Sequence, residues 1–274
     1  MMIELPEAIS IAADLRKTIL NKKIIQVGGQ FTGHKFTFYE GDPNQYNQLL
    51  TGKTVTNIID RHFYIEIVIE DYTLLFRDGA NLRYCQDQSL PKKSKLQLIF
   101  DDGSYLNMTT SMYAAIGLFK TADGCNNPYY QHELYTIGPL HPDFTYDYFK
   151  SLLNEHTLKL STKAFLATDQ RILGVGNGTV QDILFNARIH PKRKMKTLSE
   201  DELRFLYESL LSTLNTMIAL HGRDTEKDIF NQPGGYPTIL SKNTYKNPCP
   251  VCHQPLCKEQ YLGGSIYYCV HCQI

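Results

Sequence analysis

Hydrophobic and polar positions change period along the chain. Between residues 5 and 21, Ile9, Ala12, Ala13, Arg16, Ile19 and Leu20 recur at helical spacing as a mostly apolar stripe, and Pro6 suits a first turn, so the segment predicts a leading helix. From about residue 24 to 110 the pattern shortens to β-rich runs at 35–39, 55–59, 63–69, 74–76, 82–84, 96–100 and 105–108. Turn signals separate them, among them Gly41-Asp42-Pro43, Asp78-Gly79 and Asp101-Asp102-Gly103. Short strands at this spacing predict an antiparallel β-sandwich. After residue 145 the texture turns helical, at 146–154, 162–168, 178–187 and 199–220, and Ser199 with Glu202 three residues on forms a capping box for the last helix.

Pro and Gly clusters between these regions give the expected domain layout. Gly124, Asn126-Asn127-Pro128 and Pro139 to Pro142 mark a connection. The chain is therefore read as an N-terminal sandwich domain at 1–125, a linker at 126–145, a helical domain at 146–240 and a terminal module at 241–274. The fold class is α+β. The terminal module carries Cys249-x2-Cys252-x16-Cys269-x2-Cys272, two tight Cys pairs that together supply four thiolates for a tetrahedral zinc site. Four thiolates leave no open position for water or substrate, so one structural zinc is expected; the alternatives are two disulfides or four free thiols. Gly263-Gly264 followed by Ser-Ile-Tyr-Tyr predicts a β-hairpin between the pairs. Cys257, His253 and His271 are spare donors nearby, and Cys85 and Cys125 are expected as small apolar residues.

Composition narrows the class without naming a partner. The 274 residues are 42% hydrophobic and 20% charged, as in ordinary soluble globular proteins. The sequence has no apolar run of about 18 residues to span a bilayer and no secretory-signal profile at its start, which leads to the expectation of a cytoplasmic protein, in keeping with zinc-bound thiolates. Lys+Arg and Asp+Glu balance at 28 each, so the whole chain carries no basic signature. Locally, Arg188, His190, Lys192, Arg193, Lys194 and Lys196 crowd one stretch. They either meet phosphates or form a solvated face.

Three segments carry a family resemblance: Glu4-Leu5-Pro6-Glu7, then Gly174-Val175-Gly176-Asn177 leading to Asp182-Ile183-Leu184-Phe185 and Ile189-His190-Pro191, then the terminal Tyr-Tyr-Cys-Val-His-Cys-Gln. In this order and spacing the chain resembles the formamidopyrimidine-DNA glycosylase and endonuclease VIII family over essentially its whole length. The resemblance implies a β-sandwich with a leading helix, a helix-two-turns-helix domain and a finger. It further implies a monomeric DNA repair enzyme that bends damaged duplex DNA, flips the lesion into a pocket and excises the base. A damaged-DNA-binding protein without catalysis is the alternative.

By that resemblance Glu4 is the acid that protonates the sugar ring oxygen and Glu7 supports it, although two carboxylates at a helix start also suit the dipole. Asn177 and Lys163 are placed at DNA phosphates, and the helix after the Gly-rich turn offers free N–H groups to a phosphate. Met112 or Tyr113 is the wedge that fills the vacated base position, or else the pair packs the sheet edge. Arg223, in the dense Gly222–Phe230 stretch, belongs to a lesion-contacting loop. Three positions depart from the family pattern. Its N-terminal Pro, whose α-amine attacks the sugar, matches Ile3 after Met1-Met2, so the amine is expected one or two residues upstream. Its hairpin Lys matches Phe63, with Arg61 or His62 as substitutes, and its finger Arg matches Gly264. A weakened or altered strand-cleaving step is therefore expected.

Overall fold

The computed structural model describes residues 2–29, 36–86 and 94–274 and divides the chain into two compact units. The first unit comprises residues up to Ile3, Glu7–Leu134 and Glu226–Gly234; the second comprises Glu4–Pro6, Tyr135–Thr225 and Gly235–Ile274. Two short stretches thus belong with the unit that is distant in sequence.

In the first unit α1 (Leu5–Thr18) leads into β1 (Ile24–Gly28), β2 (Thr37–Glu40), the short α2 (Tyr46–Leu50), β3 (Val55–Asp60), β4 (Tyr64–Ile69), β5 (Tyr72–Cys85), β6 (Leu96–Phe100) and β7 (Tyr105–Lys120). The sheet order is β1-β6-β7-β5-β4-β3, with β2 joined to β7. All ladders are antiparallel except the parallel β2–β7 pair. Lys35 of the expected first run lies outside the described residues. The buried face of α1 is set by Ala8, Ile11, Ala12 and Leu15, spaced three and four apart. That face is rotated from the expected stripe: Ile9 and Ala13 are flank positions and Leu20, past the helix end, is exposed.

Two expected strands, 74–76 and 82–84, are one strand. The Asp78-Gly79 signal is a bulge inside β5, not a turn: Asp78 takes φ 57°, and the register passes from Asp78↔Ala114 to Ala80↔Thr110. Two steps on β5 therefore face four on β7, and Ser111, Met112 and Tyr113 bulge out opposite Gly79. β7 runs on well beyond 108. Its first half pairs with β6 and β5, its second half with β2 and β5.

The expected connection is partly helical. Asn127 accepts from the N–H groups of Tyr129 and Tyr130 and starts α3 (Pro128–Tyr135), which buries Tyr130 against Tyr64 and Leu75. Glu226–Gly234 also packs in this unit, with Ile229 fully buried in its core and its carbonyl accepting from the N–H of Tyr84 at 2.9 Å.

The second unit holds α4 (Tyr146–Ser151), α5 (Thr162–Ala167), α6 (Thr179–Asn186), α7 (Glu200–Ala219) and the hairpin β8 (Cys257–Tyr261) and β9 (Gly264–Tyr268). Ser161 and Thr145 cap α5 and α4 through their hydroxyls, and Ser199 and Glu202 form both bonds of the box at α7. Rings of Phe144, Phe149, Phe165 and Tyr207 pack among these helices. Between α5 and α6 the chain turns twice, with Asp169, Gln170 and Gly174 at positive φ. Leu262 and Gly263, both at positive φ, close the hairpin as a two-residue turn of the type that matches strand twist. Among the described residues no helix is long and apolar enough to cross a membrane.

Candidate functional site

Glu4 sits in the second unit, at the N-terminal end of α6. The N–H of Leu5 donates to the carbonyl of Gly174 at 2.9 Å and pins the segment to the turn before α6. The Glu4 carboxylate then accepts from the N–H of Gly176 at 3.1 Å, Gly178 at 2.8 Å and Thr179 at 2.8 Å. Those of Gly178 and Thr179 are N–H groups that the start of a helix leaves without intrahelical partners, and Gly176 lies in the turn just before it. The Arg223 guanidinium lies 3.6 Å from the same carboxylate, and both residues are buried. A carboxylate so surrounded by donors is fixed in position and accompanied by positive charge.

The glycines explain themselves here. A Cβ at Gly176 would lie 2.6 Å from the Glu4 carboxylate, and one at Gly178 would lie 1.3 Å from the Arg223 guanidinium. Asp182, one turn into α6, is buried and accepts from the N–H groups of Ile239 and Leu240, each at 2.8 Å. Burial pushes its carboxyl up to about 6, opposed by those two N–H groups, the Tyr236 hydroxyl and the Arg223 charge. Burial likewise raises the Tyr236 phenol. Glu4, Arg223, Asp182 and Tyr236 are thus neighbours in one buried polar group.

The helix start expected to receive a phosphate is therefore occupied by the chain's own Glu4. Asn177 instead donates its side-chain N–H to the carbonyl of Ser265 at 3.2 Å, and Gln181 joins it there at 3.0 Å while accepting from the N–H of Tyr267. Lys163, expected at a phosphate, is buried and donates to the carbonyl of Tyr261 at 2.9 Å. Removal from water lowers its ammonium to about 8. A Cβ at Gly264, the place of the family's finger Arg, would come within 3.1 Å of the Asn177 amide. Nothing in the sequence pattern pointed to Gln181 or Thr179, and Asp182 stood there only as the start of the Asp182-Ile183-Leu184-Phe185 motif.

Other expected site residues are scattered. Glu7 is buried in the first turn of α1 and belongs to the first unit, whereas Glu4 belongs to the second. Ile3 is buried, and its N–H donates to the carbonyl of Asp78 at 3.0 Å. Tyr113 stands 51% exposed on the β7 bulge, edge-on to Phe36 at 4.9 Å, so it is a projecting ring rather than a packed sheet edge. The side chain of Met112 lies outside the described residues. Arg61 pairs with Glu66 and His62 approaches Glu133 at 3.2 Å, so both candidates for the missing hairpin Lys are held by buried carboxylates.

The basic cluster is divided. Arg188 and Lys194 are exposed, whereas Arg193 forms a two-pronged bond to Glu202 at 2.6 and 2.8 Å and Lys192 pairs with Glu259. Arg193 is largely neutralised by the same Glu202 that closes the capping box of α7.

Cys249, Cys252, Cys269 and Cys272 converge, with Sγ–Sγ distances of 3.7 Å for Cys249–Cys272 and 3.4 Å for Cys252–Cys269. All four are free thiols. A disulfide would need about 2.05 Å. Tetrahedral Zn–S bonds of about 2.3 Å place sulfurs roughly 3.8 Å apart, so the donor set fits that ion. Phe185, Leu240 and Tyr267 pack beside the thiols, and Cys257, in β8, is not one of the four.

Comparison with known proteins bears on the family and the fold. A family model described as the formamidopyrimidine-DNA glycosylase H2TH domain matches residues 136–228. The chain is 28% identical to the formamidopyrimidine-DNA glycosylase of Bacillus anthracis, covering 99% of each chain. It is 29% identical to that of Halalkalibacterium halodurans, over 99% of this chain and 100% of the relative. Among solved structures, Lactococcus lactis Fpg in complex with abasic-site DNA shares the fold at a TM-score of 0.81, with 23% identity and coverage of 98% and 99%. The Fpg of Thermus thermophilus does so at 0.81, with 22% identity and 98% coverage of both chains.

Proposed function

Because the chain belongs to the formamidopyrimidine-DNA glycosylase family, we propose that it is a DNA repair glycosylase that binds damaged duplex DNA and excises the base, with Glu4 as its acid. The observation that carries this reading is the Glu4 cradle: a buried carboxylate fixed by three backbone N–H groups and Arg223. In this reading the lesion is flipped to Glu4, and proton donation toward the sugar ring oxygen assists departure of the base with the glycosidic electron pair. Water then adds to the sugar carbon and gives its proton to the departed base, and the proton on the ring oxygen returns to Glu4. Glu7 supports from the start of α1.

DNA is gripped by Arg188 and Lys194, with Asn177, Lys163 and Arg193 shaping the surface beside them and Arg223 standing at the lesion. Tyr113, with Met112 before it, wedges into the vacated base position. One structural zinc holds the four cysteines. The protein acts as a monomer in the cytoplasm, where free thiols persist.

Strand cleavage is the weak step. A Schiff base needs a placed amine, and at Ile3 the nitrogen is bonded to Asp78 while Phe63 and Gly264 supply no cation. Duplexes carrying formamidopyrimidine or other oxidised bases test this. Alkali-labile abasic sites should accumulate with little borohydride trapping. Efficient trapping with direct strand cleavage overturns the weak-lyase reading, and tight lesion binding without any abasic product favours a binding protein. In the same series Lys194→Ala should lower the slope of log K against log salt by about 0.9, and Arg193→Ala by less.

A further inference from the structure

The terminal module of the second unit carries a cavity of about 460 Å³ whose walls share no residue with the Glu4 site. Two short stretches form it: Tyr245 to Pro248 on one side, and His253, Pro255 and Leu256 on the other. Backbone pairing of Pro248 with Pro255, and the Cys249 N–H donating to the Gln254 carbonyl at 2.8 Å, hold the stretches side by side. The volume falls within the range of ligand pockets, roughly 300–1,000 Å³, and two proline rings, a phenol ring and a leucine give it apolar walls.

Charge at this place is one-sided. No Asp or Glu occurs between Asp228 and Glu259, whereas Lys242, Lys246 and Lys258 fall in that interval and all three are exposed. Glu259 is already paired with Lys192, and none of the three lysines has a carboxylate partner among the described residues. Lys246 is itself a wall of the cavity, and the Lys258 ammonium stands 5.0 Å from the Tyr245 ring, so two cations without counter-ions border the apolar space. Four thiolates around a divalent ion are net negative, but Cys249, Cys269 and Cys272 are buried, and the exposed charge is that of the lysines.

An occupant must therefore bring acid groups to the rim and an apolar group to the interior. DNA phosphates would meet the lysines but leave the apolar walls unfilled. Single-stranded nucleic acid stacks successive bases on open aromatic faces, and here the walls offer only Tyr245, partly buried against Tyr267, and the small His253 ring. The hairpin also places the cavity away from the contacts of Asn177 and Lys163: β8 starts at Cys257, directly after Leu256, while Tyr261 and Ser265 flank the turn at its far end. Five residues of strand separate the two ends by roughly 13–16 Å. An acidic peptide with one large aromatic side chain meets these requirements, since such a side chain fills a pocket at little entropic cost and its flanking carboxylates face ammonium groups.

We propose that this cavity docks an acidic peptide segment of a partner protein, with an aromatic side chain seated against Pro248, Pro255 and Leu256 and flanking carboxylates at Lys246 and Lys258. Docking here is separate from base excision, and it is tested on the full chain in the absence of DNA, so its failure leaves the proposed activity standing.

The experiment is fluorescence anisotropy with three labelled peptides: Asp-Glu-Asp-Trp-Glu-Asp-Asp, the same peptide with Ala for Trp, and the same with Lys at every acidic position. Decathymidylate is the nucleic-acid probe. The acidic Trp peptide should bind at least tenfold more tightly than either altered peptide and than decathymidylate. Lys246→Glu should weaken it at least fivefold while the thermal transition and base excision stay unchanged. If that variant fails to fold, the order of the four probes on the unsubstituted chain decides alone. Equal binding of the Ala or the Lys peptide, no binding at millimolar chain, or full affinity in a folded Lys246→Glu chain overturns the site. Decathymidylate binding as tightly as the Trp peptide also overturns it, and would assign the surface to nucleic acid. Dimerisation of the free chain that Lys246→Glu abolishes would likewise overturn it, in favour of a second copy.

Discussion

The four cysteines and Glu4 lie in the same unit and both concentrate acidic groups, but the negative charge is met from opposite sources. At Glu4 every donor comes from the chain itself: the N–H groups of Gly176, Gly178 and Thr179, and the Arg223 guanidinium 3.6 Å away. At the cysteines, four sulfurs lie within 4.8 Å of one another, and as thiolates they would need a shared cation to stay together. The carboxylate cradle is therefore complete once the fold is formed, whereas the thiol cluster would be complete only with a bound ion. That difference separates what metal removal should destroy from what single substitutions should destroy.

The largest effect is expected at the thiols. Structural zinc sites contribute on the order of 10–16 kcal/mol in small fingers, so chelation, or Cys249→Ser with Cys269→Ser, should unfold the β8–β9 module. Metal analysis should find one zinc per chain. An unchanged unfolding transition after complete chelation would break the comparison, because the cluster would then hold itself.

Next comes chemistry at the cradle. Glu4→Gln keeps an acceptor oxygen for the helix start but removes the acid, so excision should fall by about 10²–10⁴-fold with the fold retained. A rate within threefold of the original would reduce Glu4 to a helix cap. Gly178→Ala attacks the same cradle sterically, since the new methyl would lie 1.3 Å from a buried guanidinium that has little room to retreat. A loss of about 1–3 kcal/mol is expected in chemical denaturation. Substitution without loss would show that Arg223 is free to swing away.

The smallest effect is a pH dependence. Lys163 titrates near 8 in the folded chain because burial lowers it from 10.5. Between those values the unfolded chain binds more protons, so stability rises with pH there, while below about 8 the burial of the charge opposes folding in full. The stability of the protein relative to its Lys163→Met variant should thus improve from pH 8 to 10. A constant difference across that range would mean that the ammonium is solvated.

Local sequence was informative wherever a structural need is met within a few residues. The Cys-x2-Cys pairs, the Ser199–Glu202 box and the period of the helices state their purpose in one stretch of chain, because tight turns and helical turns are short-range objects. The β5 bulge was misread for the same reason. Asp78-Gly79 signals a positive φ, but whether the chain reverses or merely kinks depends on β7, some thirty residues later, pairing with both sides of it.

The sequence by itself determined the α+β order, the two Cys-x2-Cys pairs that converge in the fold, and the family resemblance with its departures at Ile3, Phe63 and Gly264. Only the tertiary structure decided where charges go. It gave the helix-start N–H groups to Glu4 rather than to an outside phosphate, neutralised Arg193 with Glu202, and buried Lys163 beneath the hairpin carbonyl of Tyr261. A charge declares itself in sequence as a residue type, but its partner is chosen by which distant backbone the fold brings within 3 Å, and no short-range pattern encodes that distance.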